Sequence, residues 1–342
     1  MPQIPSTPAA LVADNVWKVF GTNAKLTLDA DGVIDADRLA AQGGTVGVQD
    51  ASFSVAKGEI FMLMGLSGSG KSTLLRCLTG LYDLSHGNVR IGDLNVASAS
   101  QSQLRDLRRH EISMVFQNFA LLPHLTVLDN VTFPLKVQGV SREERYETGR
   151  RILELVSLKD KEKYYPHELS GGQQQRVGIA RSLATDPAIW FLDEPFSALD
   201  PLIRKEMQNE FIRLQSSLQK TIVFVTHDFD EAVRLGDRIA LMRNGVIVQI
   251  GTPEELVLAP ADDYVRSFVR GIPKERVVTL RGLLEPLSDT SERSAVLDIG
   301  QTIESATAQI IASDLPIAIK DSQGRLAGQV SRAGLSRWMG QA

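Results

Sequence analysis

The 342-residue chain has a single cysteine, Cys77, which excludes an internal disulfide and fits a reducing compartment. That thiol reads as helix packing rather than redox chemistry. Long apolar runs are lacking: stretches such as Ala188–Leu192 have strand length, far short of the ~20 residues of a membrane-spanning helix. A basic excess is also missing. The net charge of -4 argues against nucleic acid as a partner, because such proteins carry a positive footprint. The first residues, MPQIPSTPAA, lack the charged-then-apolar layout of a signal peptide, so export is not expected. What is present is ordinary for a globular protein, 43% hydrophobic and 23% charged residues. The length allows two domains, or one large domain with an appendage.

Residues 11–20 and 48–55 read as strands, and the Asp-, Ala- and Gly-rich stretch Gly21–Gly47 between them looks inserted, with a weak helical pattern at Ala36–Gln42. The apolar run Glu59–Met64 leads into a Gly/Ser loop and then a helix over Ser72–Leu81. Helical periods recur at 101–110, 141–157 and 206–218. Strand-length apolar runs recur at 188–192 and 221–225, and 238–242 with 246–250 read as a hairpin. Strands alternating with helices indicate an α/β fold, a mostly parallel sheet covered on both faces. After about residue 279 the character changes, and residues 280–342, with a turn signal in DSQGR at 321–325, read as a small separate module.

The string Gly65, Leu66, Ser67, Gly68, Ser69, Gly70, Lys71, Ser72 fits GxxxxGK(S/T), with Thr73 following in the helix. Glycines let backbone N–H groups close around phosphate oxygens, and the helix turns its positive dipole end toward them. Lys71 is placed to reach the β- and γ-phosphates of a nucleotide, and the Ser72 hydroxyl to ligate Mg²⁺. In AIWFLDE at 188–194 an apolar strand ends in Asp193, positioned to hold Mg²⁺, followed by Glu194, positioned to activate an attacking water. A helix N-cap is the other reading of that acidic pair. The two motifs together point to a nucleotide-hydrolysing P-loop protein.

LSGGQ at 169–173 lies between them, and there the sequence resembles the ABC ATPases, whose signature motif this is. Taken alone, the string is also an ordinary helix start with Ser170 as N-cap. The resemblance covers roughly residues 10–279 and implies a RecA-like core, an antiparallel β subdomain and a helical subdomain. It further implies that Ser170, Gly171, Gly172 and Gln173 meet the ATP held by a second copy of the chain. Gln117, in MVFQNFALLPHLTV, matches the glutamine that contacts Mg²⁺ and water and signals to a membrane subunit. Asp200, in SALD, matches the loop that communicates across the dimer, and His227, in VFVTHD, the histidine at the γ-phosphate. Phe20 matches the aromatic that stacks on adenine, with Trp17 as its neighbouring rival.

A narrower resemblance, to the ATPase subunits of bacterial choline, glycine betaine and proline importers, rests on KVFG at 18–21, the run at 45–76, FSALDPLIRKEMQ at 196–208 and DYVRSFVRGIPKERV at 263–277. It implies ATP and Mg²⁺ as cofactors, integral-membrane permease partners, an indirect link to a periplasmic substrate-binding protein, and a place on the cytoplasmic face of the inner membrane. Members of that group often end in two CBS repeats. Here Leu315–Met339 resembles the strand-turn-strand-helix half of one, and 280–342 has room for one repeat, expected to act as a sensor or as a dimer clasp. The missing second repeat tilts the expected cargo toward choline, a nutrient, rather than osmotically controlled betaine. The competing expectation is a non-transport ABC ATPase acting on nucleic acid or in translation.

Overall fold

The computed structural model describes residues 9–21, 41, 43–117, 119–287, 295–321 and 323–341. Most of the insertion read at Gly21–Gly47, and all but Ala41 of its weak helix, fall outside the described residues. The chain divides into two compact units, one ending at Ile250 and one beginning at Gly251.

In the first unit, strands β1 (Ala9–Phe20) and β2 (Thr45–Ala56) pair antiparallel. Strand β3 (Ile60–Met64) leads through the glycine loop into helix α1 (Lys71–Leu78). Strands β4 (His86–Ile91) and β5 (Leu94–Asn95) complete a sheet of order β2-β1-β4-β5. Helix α2 (Gln101–Asp106), opened by a capping box of Ser100 and Gln103, passes into a π-turn over Leu107–Glu111 where one continuous helix is predicted from sequence. The wider turn keeps Leu104 and Leu107 buried while Arg108 donates to the Gly80 carbonyl at 3.0 Å.

Strand β6 (Ile112–Val115) is followed by three helices that pack on one another, α3 (Val127–Val137), α4 (Arg142–Leu155) and α5 (Gly171–Leu183). Strand β7 (Ile189–Asp193), helix α6 (Pro201–Leu218), strand β8 (Thr221–Thr226), helix α7 (Phe229–Leu235) and strands β9 (Arg238–Arg243) and β10 (Val246–Gly251) follow. The six-stranded sheet runs β10-β9-β3-β8-β7-β6, and the ladders from β9 through β6 are parallel. Every residue of β7 and β8 is buried, as expected of strands covered on both faces. The turn between β9 and β10 uses Asn244 and Gly245, both at positive φ (50° and 83°), the Asn-Gly geometry of a tight hairpin.

Helix α6 begins earlier than its predicted period. Asp200 caps it by accepting from the Leu202 and Ile203 amides at 3.1 Å, and Pro201 occupies the first turn. One face of the sheet carries Phe53 stacked on Phe61 at 4.8 Å; elsewhere Trp190, Phe196, Phe211 and Phe224 form an aromatic cluster.

The second unit starts with helices α8 (Pro253–Leu258) and α9 (Asp263–Val269) and continues into a sheet of order β11-β12-β13, made of β11 (Val296–Asp298), β12 (Ile317–Lys320) and β13 (Leu326–Val330). Helix α10 (Ile303–Ala312) links the parallel pair β11 and β12, and helix α11 (Arg332–Gln341) closes the unit. Its core contains Leu280, Ile303, Ile310, Ile317, Ile319 and Val330. The division falls ahead of the 279/280 boundary read from sequence because Glu254 accepts from Thr279 Oγ1 at 3.0 Å and Arg276 pairs with Glu304 at 3.1 Å. The DSQGR turn is held by Asp321, which accepts from the Gln323 and Arg325 amides, each at 2.9 Å.

Candidate functional site

Strand register assembles the site. Pairing sets Met64 beside Thr226 and Asp193 beside Val225, so β3, β7 and β8 end at one edge of the sheet. The carboxyl ends of parallel strands are where such sheets bind ligands.

The loop after β3 depends on its glycines. Gly65 and Gly70 have φ of 151° and 101°. A Cβ on Gly65 would lie 2.3 Å from the Met242 carbonyl oxygen, and one on Gly70 2.4 Å from that of Gly47. The loop backbone therefore packs directly against the Met242 and Gly47 carbonyls, where neither glycine could carry a side chain. Leu66, Ser67 and Gly68 form its exposed rim, whereas Ser69 is buried and its Oγ has no hydrogen-bond partner. Lys71 is buried and folds back, its Nζ donating to the carbonyls of Gly65 at 2.8 Å and Leu66 at 2.9 Å. Burial lowers the Lys71 pKa, opposed by the charges of Glu194 and Asp193. An orphaned hydroxyl, a cradle of backbone amides and a desolvated ammonium fit the phosphates of a nucleotide.

Ser72 Oγ donates to Asp193 Oδ1 at 2.8 Å. Burial raises the Asp193 pKa, while the Ser72 hydrogen bond and Arg76 lower it. A hydroxyl and a carboxylate are hard oxygen donors of the kind Mg²⁺ takes. Gln117 sits exposed just past β6, the neighbour of β7. Beyond it, buried Asn130 ties down the turn by accepting from the Leu122 amide at 2.8 Å and facing the Leu122, Leu125 and Thr126 carbonyls at 3.0 Å.

Glu194 stands in the left-handed region at φ 46°, a strained setting for a residue with a side chain. Its amide donates to the Val225 carbonyl at 3.1 Å, and its own carbonyl accepts from Ser197 Oγ at 2.9 Å. This bend brings Glu194 Oε2 to 3.2 Å from His227 Nδ1. Behind the loop, Arg204 donates to the Phe196 carbonyl at 3.2 Å and to the Leu199 carbonyl at 2.9 Å. Arg204 escaped the sequence reading because a bond to backbone carbonyls leaves no partner residue type to recognise.

Phe20, 38% exposed, meets Tyr82 edge-on at 5.7 Å, and Lys18 Nζ lies 5.1 Å from its ring. Its ring packs beside Gly47 and Thr73, next to the phosphate loop: a Cβ on Gly47 would come within 2.8 Å of the Phe20 ring and 3.2 Å of the Thr73 methyl. Trp17, the rival platform, is 3% exposed and belongs to the core. Cys77 is also interior, and burial pushes its thiol up to about 12, consistent with packing. Ser170 and Gln173 form a capping box at the start of α5, with Ser170 and Gly171 exposed. In this single chain those residues cap a helix and present its N-terminus outward.

A glycine-built phosphate cradle at the end of one parallel strand, with an acidic pair at the end of another, defines a P-loop nucleoside triphosphatase. Residues 48–197 match the family described as ABC transporter. The chain is 49% identical to the trimethylamine N-oxide transport system ATP-binding protein TmoW of Pelagibacter ubique, over 93% of both proteins. It is 48% identical to the glycine betaine/proline betaine transport system ATP-binding protein ProV of Escherichia coli, over 79% of this chain and 68% of that one. Among solved structures it resembles the dimeric post-hydrolysis state of the ATP-binding cassette MJ0796 bound to ADP and Pi. That match has a TM-score of 0.60 and 31% identity, covering 71% of this chain and 98% of the other. The chain therefore belongs to the ABC transporter ATP-binding family, and is an ATPase that uses ATP with Mg²⁺.

Proposed function

We propose that this chain energises the import of a small solute with a trimethylated nitrogen, trimethylamine N-oxide foremost, as one of two identical ATPase subunits beneath a membrane permease. The observation that carries this reading is the extent of likeness. The trimethylamine N-oxide system relative matches 93% of this chain and 93% of its own length. The choline transport relative of Bacillus subtilis is 42% identical over only 69% of this chain. The tilt toward choline drawn from the short tail thus yields to trimethylamine N-oxide. The subunit attaches peripherally at the cytoplasmic face; among the described residues no helix is long and apolar enough to cross a membrane.

The placement of the side chains supports the following chemistry. Phe20 stacks on adenine, and the Gly65–Thr73 backbone holds the phosphates. Lys71 exchanges the Gly65 and Leu66 carbonyls for phosphate oxygens. Ser72, Asp193 and Gln117 would hold Mg²⁺, which would supply charge neutralisation to the phosphates. Glu194 takes the proton of the attacking water, and His227 keeps its carboxylate in line. The partner copy contributes its own signature helix to the γ-phosphate, and Asp200 lies on the loop that senses that partner. The permease docks against the groove lined by Phe116, Ala120, Leu122 and Phe133, and a periplasmic binding protein delivers the cargo to it. The 21–47 segment is a family-type insertion. Residues 280–342 act as a CBS-like regulatory or dimer-clasping module, a reading supported by the β12-turn-β13-α11 order.

Uptake of labelled trimethylamine N-oxide, glycine betaine, choline and proline, in cells carrying wild type or Glu194→Gln, tests this. Loss of trimethylamine N-oxide uptake in the variant is the expected result. Loss of another solute alone would reassign the cargo, and loss of none would remove the import reading.

A further inference from the structure

Just past Gln117, Phe119 and Ala120 adopt left-handed backbone in succession, with φ of 55° and 48°. Neither is glycine, and Cβ-bearing residues avoid this region unless the surroundings hold them there. The holding group is Arg181. Its Nη2 donates to the Phe119 carbonyl at 2.7 Å and its Nη1 to the Ala120 carbonyl at 2.6 Å. One planar fork thus binds the two carbonyls that the turn aims at one point, a geometry a lysine ammonium does not reproduce.

The fork itself is fixed. Arg181 lies on α5, the helix whose first turn is the LSGGQ motif, and the next residue, Ser182, accepts from Trp190 Nε1 of β7 at 2.9 Å. One turn earlier, Gly178 faces the same loop, and even a Cβ there would stand 3.7 Å from the Phe119 carbonyl oxygen, in ordinary contact. Burial lowers the Arg181 pKa, and the two hydrogen bonds to the Phe119 and Ala120 carbonyls direct its guanidinium at the turn.

Resting on the reading of Gln117 as a metal and water contact, we propose that Arg181 is a positioning residue, a latch that holds the Phe119–Ala120 turn left-handed and thereby keeps Gln117 at the nucleotide. It ties the Gln117 loop to the signature helix within one chain.

Steady-state ATP hydrolysis by the full chain tests this with Gln117→Ala, Arg181→Lys, Ala120→Val and the double variant Gln117→Ala/Arg181→Lys. Each single change is expected to lower kcat roughly tenfold or more, as misplacing a distant contact does. KM for ATP should move much less than kcat, since Phe20 and the phosphate loop, which carry most of the ground-state binding, are unchanged. The double variant should be no slower than Gln117→Ala, and Ala120→Gly, which accepts positive φ, should restore Arg181→Lys. Multiplied losses in the double variant would overturn the latch, because Arg181 would then act elsewhere. Wild-type kcat in Arg181→Lys and Ala120→Val, beside a slow Gln117→Ala, would also overturn it while leaving the reading of Gln117 intact. A fully active Gln117→Ala would overturn that reading and the route through it. Should Arg181→Lys not fold, Ala120→Val decides: the residue is exposed, and valine opposes only its backbone conformation.

Discussion

Ser72 Oγ donates to Asp193 Oδ1 at 2.8 Å although β8 separates β3, which leads into the loop before Ser72, from β7, which ends at Asp193. The bond spans that gap because the helix after the glycine loop lies against both β8 and β7. It joins two prospective metal donors.

Replacing Asp193 by Asn should therefore act through the metal. Hydrolysis is expected to fall about 100-fold or more at saturating ATP, because a metal clamp contributes several kcal/mol of charge stabilisation. Chelation of Mg²⁺ should mimic the loss in wild type. Titration of activity with Mg²⁺ is the check, and an unchanged metal dependence in Asp193→Asn would remove this residue from the metal's shell.

The Glu194–His227 contact predicts coupled losses. Glu194→Gln and His227→Ala should each slow phosphate release by about 10²–10⁴-fold, the usual worth of a positioned base. If His227 works through Glu194, the double variant should be no slower than Glu194→Gln. Nucleotide binding, followed with a fluorescent ATP analogue, should survive in Glu194→Gln.

Phe20→Ala should weaken nucleotide binding by about 1–3 kcal/mol, the range for a base stacked on an aromatic ring. Phe20→Tyr should be close to neutral. The expected signature is a raised KM for ATP with kcat retained; a fall in kcat alone would speak against an adenine platform.

Glu231 supplies a pH prediction. It is buried, accepts from Gln208 Nε2 at 2.9 Å, and burial raises its pKa, opposed by hydrogen bonds from Thr226 and Gln208. Because the folded value lies above the unfolded one, the folded state binds more protons in the window above the ordinary glutamate value of 4.5. The contribution to stability is complete below that value and is lost as pH rises through the folded pKa. Glu231→Gln keeps the acceptor and removes the titration. Urea unfolding across pH should show a shallower decline in the variant, and an identical slope would mean that other groups set it.

Much of the site was legible because its motifs are contiguous. GLSGSGKS encodes a backbone path, since glycines permit the positive φ that the cradle needs, and AIWFLDE places two acids at the end of a continuous apolar run of buried-strand length. LSGGQ marks a helix start for the same local reason. Other features escaped because distant chain segments create them. Trp17 and Phe20 look alike as aromatics on one strand, and only packing buries the first and exposes the second. The π-turn at Leu107–Glu111 follows from where Arg108 finds a carbonyl, and the early unit boundary from Glu254 meeting Thr279. The Arg181 and Arg204 forks bind backbone carbonyls, which every residue has, so no sequence pattern announces them. Contiguous residues dictate the local backbone chemistry of the phosphate loop, the acidic strand end and the signature helix. Which of those ends share an edge, and what holds their loops in place, is settled in the folded chain, because strand order and long-range hydrogen bonds depend on packing between segments far apart in sequence.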